Sequence, residues 1–425
     1  MTWALPAIAA MLLAFAGISR KVAGTPLTAP IVFTAGGLAL GADALGLIDV
    51  DVTSETIKLL AEVTLALVLF ADASSVDLSA LRPEIAVPAR LLGFGLPLTI
   101  AAGFGAAVLV FGDFGWPEAL LLAVILAPTD AALGQAVVTL PALPTRVRQG
   151  LNVESGLNDG ICVPLFLVVL AIAGAESGAI GGGAAARLVA EQIGYGILAG
   201  VGAGSVAAVI VVVAGRRSAI DPLWMQIVPV AAAVLAYTIA VPIGGSGFIA
   251  AFVGGLAFGA IRRRAGGEIS HLIEESGDLF NAVTFIVFGA VLLGPALGHL
   301  SWRVLVYAAL SLTVVRMVPV ALSLVGLHAR RPTIAFLGWF GPRGLATIVF
   351  VVLIVEESGE LPHEDVLLTT TLVTIGASVL AHGLTAAPLA DRYAAWFRGH
   401  PRPETLHLEA PEGRPREVHS RDERS

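Results

Sequence analysis

The stretch Asn152-Val153-Glu154-Ser155-Gly156-Leu157-Asn158-Asp159-Gly160 opens a long apolar segment. At 3.6 residues per helical turn, Ser155 and Asp159 share one face of a helix. Glu154 and Asn158 share the adjacent face, so one helix presents two carboxylates, a hydroxyl and an amide toward one side. The helix dipole alone favours acids in a first turn, but Asp159 would lie two turns inside. The stretch therefore predicts a polar functional site within a helical, apolar protein.

The overall composition is that of a membrane protein. Of the 425 residues, 56% are hydrophobic and 13% are charged, whereas soluble domains carry about 25% charged residues. The mean hydropathy is +0.87. These values exclude a soluble enzyme, and they exclude a disordered chain because disordered segments are polar. The 48 glycines and 24 prolines predict closely packed or interrupted helices, and the single cysteine, Cys162, excludes an internal disulfide.

Apolar runs that end at charges or at Gly and Pro clusters predict thirteen membrane-spanning helices, since one span needs about 20 apolar residues. The spans begin near residues 3, 28, 57, 87, 116, 150, 187, 222, 246, 278, 302, 332 and 366. Basic residues follow the odd-numbered spans, and mostly acids follow the even-numbered spans. The positive-inside rule then predicts an external N-terminus and a cytoplasmic C-terminus. Residues 399–425 are rich in proline and charge, which predicts a disordered cytoplasmic tail.

Six charged residues lie in or near the predicted spans, where a lipid-facing charge costs about 2.5–3.5 kcal/mol. They are expected to face the protein interior, and they are Asp72, Asp130, Glu154, Asp159, Arg316 and Arg343. In span 5 the motif Ala127-Pro128-Thr129-Asp130 interrupts the helix at Pro128 and frees backbone carbonyls. Those carbonyls and the Thr129 hydroxyl are candidate cation ligands, while Asp130 supplies charge or caps the following half-helix. A kinked helix that binds no ion fits this motif equally well.

Span 12 contains Gly338-Trp339-Phe340-Gly341-Pro342-Arg343-Gly344, which is a second break at membrane depth. Non-helical backbone there must be enclosed by protein or line a cavity. Arg343 needs an acidic partner, and Glu154 is the candidate. The broken spans occupy matching places, since span 5 is the fifth of spans 1–6 and span 12 is the fifth of spans 8–13. Span 7 would then link two six-helix repeats, which are inverted because an odd number of spans separates them. Interrupted helices at matching positions of such repeats point to the binding site of a secondary transporter.

Three runs carry a resemblance to a known family: Thr129–Pro141 (TDAALGQAVVTLP), Arg146–Gly160 (RVRQGLNVESGLNDG) and Gly338–Thr347 (GWFGPRGLAT). They resemble the monovalent cation:proton antiporters of the NhaP/CPA1 group, which have the NhaA-like fold, over roughly residues 5–395. The resemblance implies a homodimer in the lipid membrane, with spans 5 and 12 crossing as interrupted helices. The implied division of residues 1–398 is a core domain of roughly 87–174 and 302–398, a dimerisation domain of roughly 1–80 and 187–261, and a linking helix at roughly 275–297.

For the site, the resemblance assigns ion and proton binding to Asp159 and associates the neighbouring Asn158 with electroneutral exchange. The acid–arginine pair that holds the core together would be Glu154 and Arg343. Groups at or beside the cation would be Thr129, Asp130 and Ser155.

Two positions depart from the family pattern. Asp72 lies one position away from a glutamate that many members carry in a Phe-Glu-Gly-Gly motif, so its place in the cation pathway is open. His382 stands where glutamine is common. It either tunes the pH response or packs inside a helix.

These observations predict a secondary active antiporter of the bacterial or archaeal cytoplasmic membrane. One Na⁺, or Li⁺, would exchange for one H⁺ by competition at Asp159 and alternating access, with no net charge moved. K⁺/H⁺ exchange by the same fold and sodium-coupled symport of an organic anion are the alternatives. A cation channel would need a carbonyl filter or an acidic ring, and neither is evident in the sequence. The sequence has no glycine-rich nucleotide loop and no His/Cys cluster, so it predicts no enzyme activity, no cofactor beyond the transported ions and no nucleic-acid partner.

Overall fold

The computed structural model describes residues 3–22, 25–50, 55–76, 86–130, 133, 137, 140–176, 182–266, 271–357 and 361–400. Within these residues the secondary structure is helical, apart from an isolated β-bridge between Gly41 and Ile48. The helices are α1 (Ala4–Val22), α2 (Ala29–Leu40), α3 (Glu55–Ser75), α4 (Ala86–Val110), α5 (Trp116–Ile125), α6 (Thr145–Glu176), α7 (Gly182–Arg216), α8 (Pro222–Ala240), α9 (Gly247–Arg264), α10 (His271–Val287), α11 (Trp302–Ser323), α12 (Arg331–Trp339), α13 (Leu345–Glu357) and α14 (Glu364–Gly399).

The helix starts follow the predicted spans closely. The largest difference is at α10, which is predicted near residue 278 and begins at His271. Eight of the described helices are long and apolar enough to cross a membrane by themselves. Shorter apolar helices lie at Ala29–Leu40, Trp116–Ile125 and Leu345–Val355. The all-helical membrane fold is confirmed, whereas thirteen as the number of crossings stays a prediction.

Local irregularities interrupt several helices. A π-helical stretch, Leu91–Gly95, lies inside α4, and α10 continues through another, Phe288–Leu293, to a last turn at Gly294–Leu297. α14 ends at Gly399. The disordered tail is predicted for 399–425, so its first residue is still helical, and its part from 401 onward lies outside the described residues.

One group of helices, α3, α7, α8 and α9, packs through close backbone contacts. Gly204 of α7 lies so near the Gly254 carbonyl of α9 that a Cβ atom at Gly204 would collide with it. Gly255 of α9 lies equally near the Phe70 carbonyl of α3. Small residues allow such approaches in membranes, where helices associate by packing rather than by the hydrophobic effect.

A second group contains α4, α5, α6, α11, α12, α13 and α14. Its core includes the stacked rings of Phe166 and Phe350, whose centroids are 4.3 Å apart. α10 contacts α2, α3 and α13, and so touches both groups. The division into dimerisation, core and linking segments stays a prediction.

Candidate ion-binding site

The breaks in the two interrupted spans contact each other directly. The backbone is non-helical at 128–130 after α5 and at 340–344 between α12 and α13. The Asp130 amide donates a hydrogen bond to the Pro342 carbonyl oxygen at 2.8 Å. The Leu345 amide donates to Oδ2 of Asp130 at 3.0 Å. Asp130 therefore caps α13, at the helix end where the dipole favours a negative charge.

Gly344 allows this close approach. A Cβ atom at Gly344 would collide with Oδ2 of Asp130, so any other residue there would push the carboxylate away. The sequence left open whether Asp130 supplies charge or caps the half-helix of its own span. The structure shows that Asp130 caps the half-helix of the other interrupted span.

Arg343 is buried in the second break and binds the first break. Its Nη1 donates to the carbonyl oxygens of Ala127 at 2.6 Å and Pro128 at 3.1 Å. These carbonyls are free for it because the helix is interrupted there. Its backbone amide donates to Oγ of Ser378 at 2.7 Å. The prediction that Arg343 forms an ion pair with Glu154 is therefore wrong, since the nearest acceptors for its guanidinium are backbone carbonyls.

Glu154 instead pairs with Arg316 of α11. Nη1 and Nη2 of Arg316 donate to Oε1 and Oε2 of Glu154 at 2.6 and 2.7 Å, and both side chains are buried. Gly341 leaves room for the guanidinium, because a Cβ atom there would collide with Nε of Arg316. Two parallel charge-assisted bonds offset part of the cost of burying both charges. The sequence identified Arg316 only as a buried charge, because nothing in its spacing distinguishes it from Arg343 as a partner.

Four residues of the predicted cation site lie where α6 passes the first break. Nδ2 of Asn158 donates to Oγ1 of Thr129 at 2.7 Å. Oγ of Ser155 donates to the Thr129 carbonyl oxygen and lies 3.4 Å from Oγ1 of Thr129. Asp159 follows on the same face of α6 as Ser155, one turn later. All four are buried, so the structure brings a carboxylate, two hydroxyls, an amide and a carbonyl into one apolar region.

Two buried oxygens of this cluster accept no hydrogen bond from any described residue. They are Oδ1 of Asp159 and Oδ1 of Asn158. A buried oxygen without a donor costs free energy. A bound cation would remove that cost at both oxygens, and a proton would remove it at the carboxylate. Because the Asn158 nitrogen is used by Thr129, the amide oxygen is left for another partner.

Asp72 of α3 lies beside this cluster. A Cβ atom at Gly156 of α6 would lie 3.2 Å from Cβ and 3.6 Å from Oδ2 of Asp72. Asp72 therefore lies against α6 one turn before Asp159, and Asp130 follows Thr129 directly in the chain. Ionised carboxylates that lie close together favour the binding of a cation or a proton, which reduces their mutual repulsion. A direct role of Asp72 in cation access stays a prediction.

Comparisons with known proteins agree with this architecture. The sequence profile of the transmembrane sodium/hydrogen exchanger family matches residues 8–392. The chain is 25% identical over 375 residues to the K⁺/H⁺ antiporter NhaP of Alkalimonas amylolytica, covering 88% of this chain and 63% of that protein. It is 27% identical over 361 residues to the Na⁺/H⁺ antiporter NhaP of Pseudomonas aeruginosa, covering 77% of this chain and 79% of that protein. The chain spans less than two thirds of the length of the K⁺/H⁺ antiporters that it matches.

A solved structure has the same fold. The sodium proton antiporter MjNhaP1 from Methanocaldococcus jannaschii aligns with a TM-score of 0.74 at 20% identity, over 92% of this chain and 99% of that chain. At this identity the likeness establishes the fold. The family match extends over both breaks and the cluster around Asp159. The chain therefore belongs to the sodium/hydrogen exchanger family of transmembrane proteins.

Proposed function

We propose that this chain exchanges a monovalent cation for a proton across a membrane, and that both ions compete for Asp159. The observation that carries the proposal is the pair of buried oxygens on Asp159 and Asn158. Neither accepts a hydrogen bond within the described residues, and both belong to the cluster with Ser155 and Thr129. Membership of the exchanger family supports this class of reaction.

Competition follows from the presence of one carboxylate among neutral ligands. When Asp159 is protonated it is neutral and attracts a cation weakly, and when it is ionised it attracts a cation strongly. An ionised carboxylate without a partner is costly inside the membrane. Only the proton-bound and cation-bound forms of the protein would therefore switch readily between exposing Asp159 to one side of the membrane and to the other. Asn158 carries no titrating proton, so one positive charge moves in each direction and the exchange is electroneutral.

The donors around Asp159 are all oxygens, which suit hard cations. We assign Na⁺ as the main cargo, with Li⁺ also accepted, in line with the Na⁺/H⁺ antiporter among the relatives. The K⁺/H⁺ antiporters among the relatives make K⁺ the second candidate. The five candidate ligand groups (one carboxylate, two hydroxyls, one amide and one carbonyl) offer oxygen atoms that suit Na⁺ and K⁺ alike.

Alternating access would act through the two breaks. Because Asp130 and Arg343 tie the breaks together, the two interrupted spans would move as one unit past α3 and α9 and expose Asp159 to each side in turn. A homodimer joined through the predicted dimerisation segments belongs to the same proposal. So do a bacterial cytoplasmic membrane, an external N-terminus and a cytoplasmic C-terminus, which the basic loops after odd-numbered spans support.

The test is exchange by purified protein in liposomes that hold an acidic interior and a pH-sensitive dye. Addition of NaCl or LiCl outside is expected to dissipate the pH gradient, and choline chloride is expected to leave it intact. The rate is expected to be the same with the membrane potential clamped and unclamped. A response to KCl that exceeds the response to NaCl would reassign the cargo to K⁺. The absence of a response to all three alkali cations would overturn the proposal.

A further inference from the structure

We infer that His382 is a positioning residue that holds the break between α12 and α13 in the geometry that the ion site requires. The inference rests on the proposed exchange at Asp159 and adds a residue of α14 to it. It follows from a set of hydrogen bonds between α14 and the non-helical segment.

His382 is buried in α14 and reaches the backbone at the end of α12. Its Nε2 lies 2.9 Å from the Trp339 carbonyl oxygen, and its Nδ1 lies 3.0 Å from Oγ of Ser378. The ring centroids of His382 and Trp339 are 5.0 Å apart. Oγ of Ser378 in turn accepts the hydrogen bond from the Arg343 amide at 2.7 Å. One histidine therefore connects both ends of the break.

The partners of the ring indicate how its hydrogen bonds are arranged. A carbonyl oxygen only accepts, so Nε2 of His382 carries the proton that it donates to Trp339. Nδ1 lies 3.1 Å from the Ser378 carbonyl oxygen as well as 3.0 Å from the Ser378 hydroxyl. In a neutral ring with its proton on Nε2, Nδ1 accepts the Ser378 hydroxyl proton. The same hydroxyl oxygen accepts the Arg343 backbone N–H.

The break depends on such outside support because 340–344 lies outside any helix. The Trp339 carbonyl lies at the end of α12, where carbonyl groups lack a partner within the helix. It accepts hydrogen bonds from the Gly341 amide at 2.8 Å and from Nε2 of His382. The Arg343 amide has Ser378 as its partner. Both of these backbone groups are thus held from the same turn of α14.

The held segment determines where the first break lies. Arg343 binds the Ala127 and Pro128 carbonyls, and the Pro342 carbonyl accepts the Asp130 amide. These contacts flank Thr129 on both sides. Thr129 is the residue that Ser155 and Asn158 both bind. Displacement of the second break would therefore disturb the cation ligands without touching them directly.

Glutamine separates hydrogen bonding from titration at this position. Its side-chain amide offers one N–H donor for Trp339 and one oxygen acceptor for the Ser378 hydroxyl, but it carries no titrating proton. Leucine fills a similar volume and offers neither group. A positioning role therefore predicts that His382→Gln preserves function and His382→Leu does not.

The experiment measures the apparent KM for Na⁺ and the maximal rate of proton exchange in proteoliposomes. The variants are His382→Leu, His382→Gln and Ser378→Ala. We expect His382→Leu to raise the KM about tenfold or more, as the loss of groups that orient ion ligands commonly does, with a smaller change in maximal rate. Ser378→Ala is expected to raise the KM in the same direction, and His382→Gln is expected to keep the wild-type KM.

Thr385→Val is the matched control. It removes the 2.9 Å hydrogen bond that the Trp339 indole N–H donates to the Thr385 hydroxyl of α14, and it leaves the bonds to the Trp339 carbonyl and the Arg343 amide in place. Melting in detergent, followed for all variants, separates loss of fold from loss of affinity. The inference is overturned by an unchanged KM in folded His382→Leu, by an equal rise in Thr385→Val, or by a raised KM in His382→Gln. If His382→Leu does not fold, His382→Gln and Ser378→Ala still decide. A wild-type protein that exchanges no cation would instead overturn the proposed function.

Discussion

The carboxylate of Glu154 and the guanidinium of Arg316 form a buried, two-bond ion pair that joins α6 to α11. The pair lies next to Ser155 in the chain, but its atoms bind each other rather than the cation cluster. Arg343, the other buried arginine of this region, binds the carbonyls of the first break. One arginine therefore secures the helices around the site, and the other secures the two breaks against each other.

The Glu154–Arg316 pair is expected to contribute to folding mainly because each charge neutralises the other. Glu154→Ala and Arg316→Ala should each destabilise the protein by about 3–5 kcal/mol, since each strands a buried charge. The double variant should lose much less than the sum of the two single losses. Melting of the purified variants in detergent measures this. Additive losses would show that the two groups are not coupled, and Arg187→Ala, at an exposed pair with Glu191, is the control expected to change little.

Asp159→Asn is expected to abolish exchange and to leave the fold intact. The amide has nearly the same shape, but it neither takes up a proton nor carries the charge that attracts a cation. Sodium-dependent proton movement in liposomes checks the first point, and melting checks the second. Asp365→Asn, at an exposed position in the first turn of α14, is the control that should keep exchange. Clear exchange by Asp159→Asn would remove Asp159 from the mechanism.

Thr129→Val is expected to weaken cation binding by about 10-fold or more, because it removes the hydroxyl that orients Asn158. The apparent KM for Na⁺ should rise while the protein stays folded. Thr371→Val is the matched control, since its buried hydroxyl donates to the Leu367 carbonyl of its own helix. An equal rise in KM for both variants would mean that the Thr129 hydroxyl has no specific role.

Gly344→Ala is expected to displace the Asp130 carboxylate from the start of α13. The added methyl group would collide with Oδ2, and overpacking of this kind costs about 1–3 kcal/mol. Exchange activity and melting temperature should both fall. Gly202→Ala, where no atom lies within 4 Å of the added Cβ, should change neither strongly. Wild-type activity in Gly344→Ala would show that the Asp130 cap is dispensable.

The apparent KM for Na⁺ is expected to fall as the pH rises, because fewer protons then compete for Asp159. Under simple competition the fall is about tenfold per pH unit while the proton-bound form predominates. Asp72→Asn removes a carboxyl group that lies against α6 one turn before Asp159, so both ions should bind less tightly. Measurement of the KM at a series of pH values tests both statements. A KM that does not depend on pH would argue for separate cation and proton sites.

Much of the fold follows from local sequence properties. Apolar runs of sufficient length determine membrane helices wherever they occur, which is why the helix starts agree with the predicted spans. Ser155 and Asp159 share a face because helical periodicity depends on spacing alone. Pro128 and the Pro342 step interrupt their helices because proline lacks a backbone donor. These properties sufficed to predict which residues gather in the buried polar cluster around Asp159, while ion binding by that cluster stays a prediction.

Contacts between helices were decided only by the tertiary structure. Arg316 and Arg343 are alike in charge and depth, so the sequence alone did not show which of them faces Glu154 and which faces the free carbonyls of the first break. The sequence likewise left Asp130 without a defined partner and His382 with two possible roles. Each of these contacts joins residues far apart in the chain, and its geometry depends on how closely the glycines allow the backbones to approach. Periodicity therefore determined the residues of the site, and packing determined their partners.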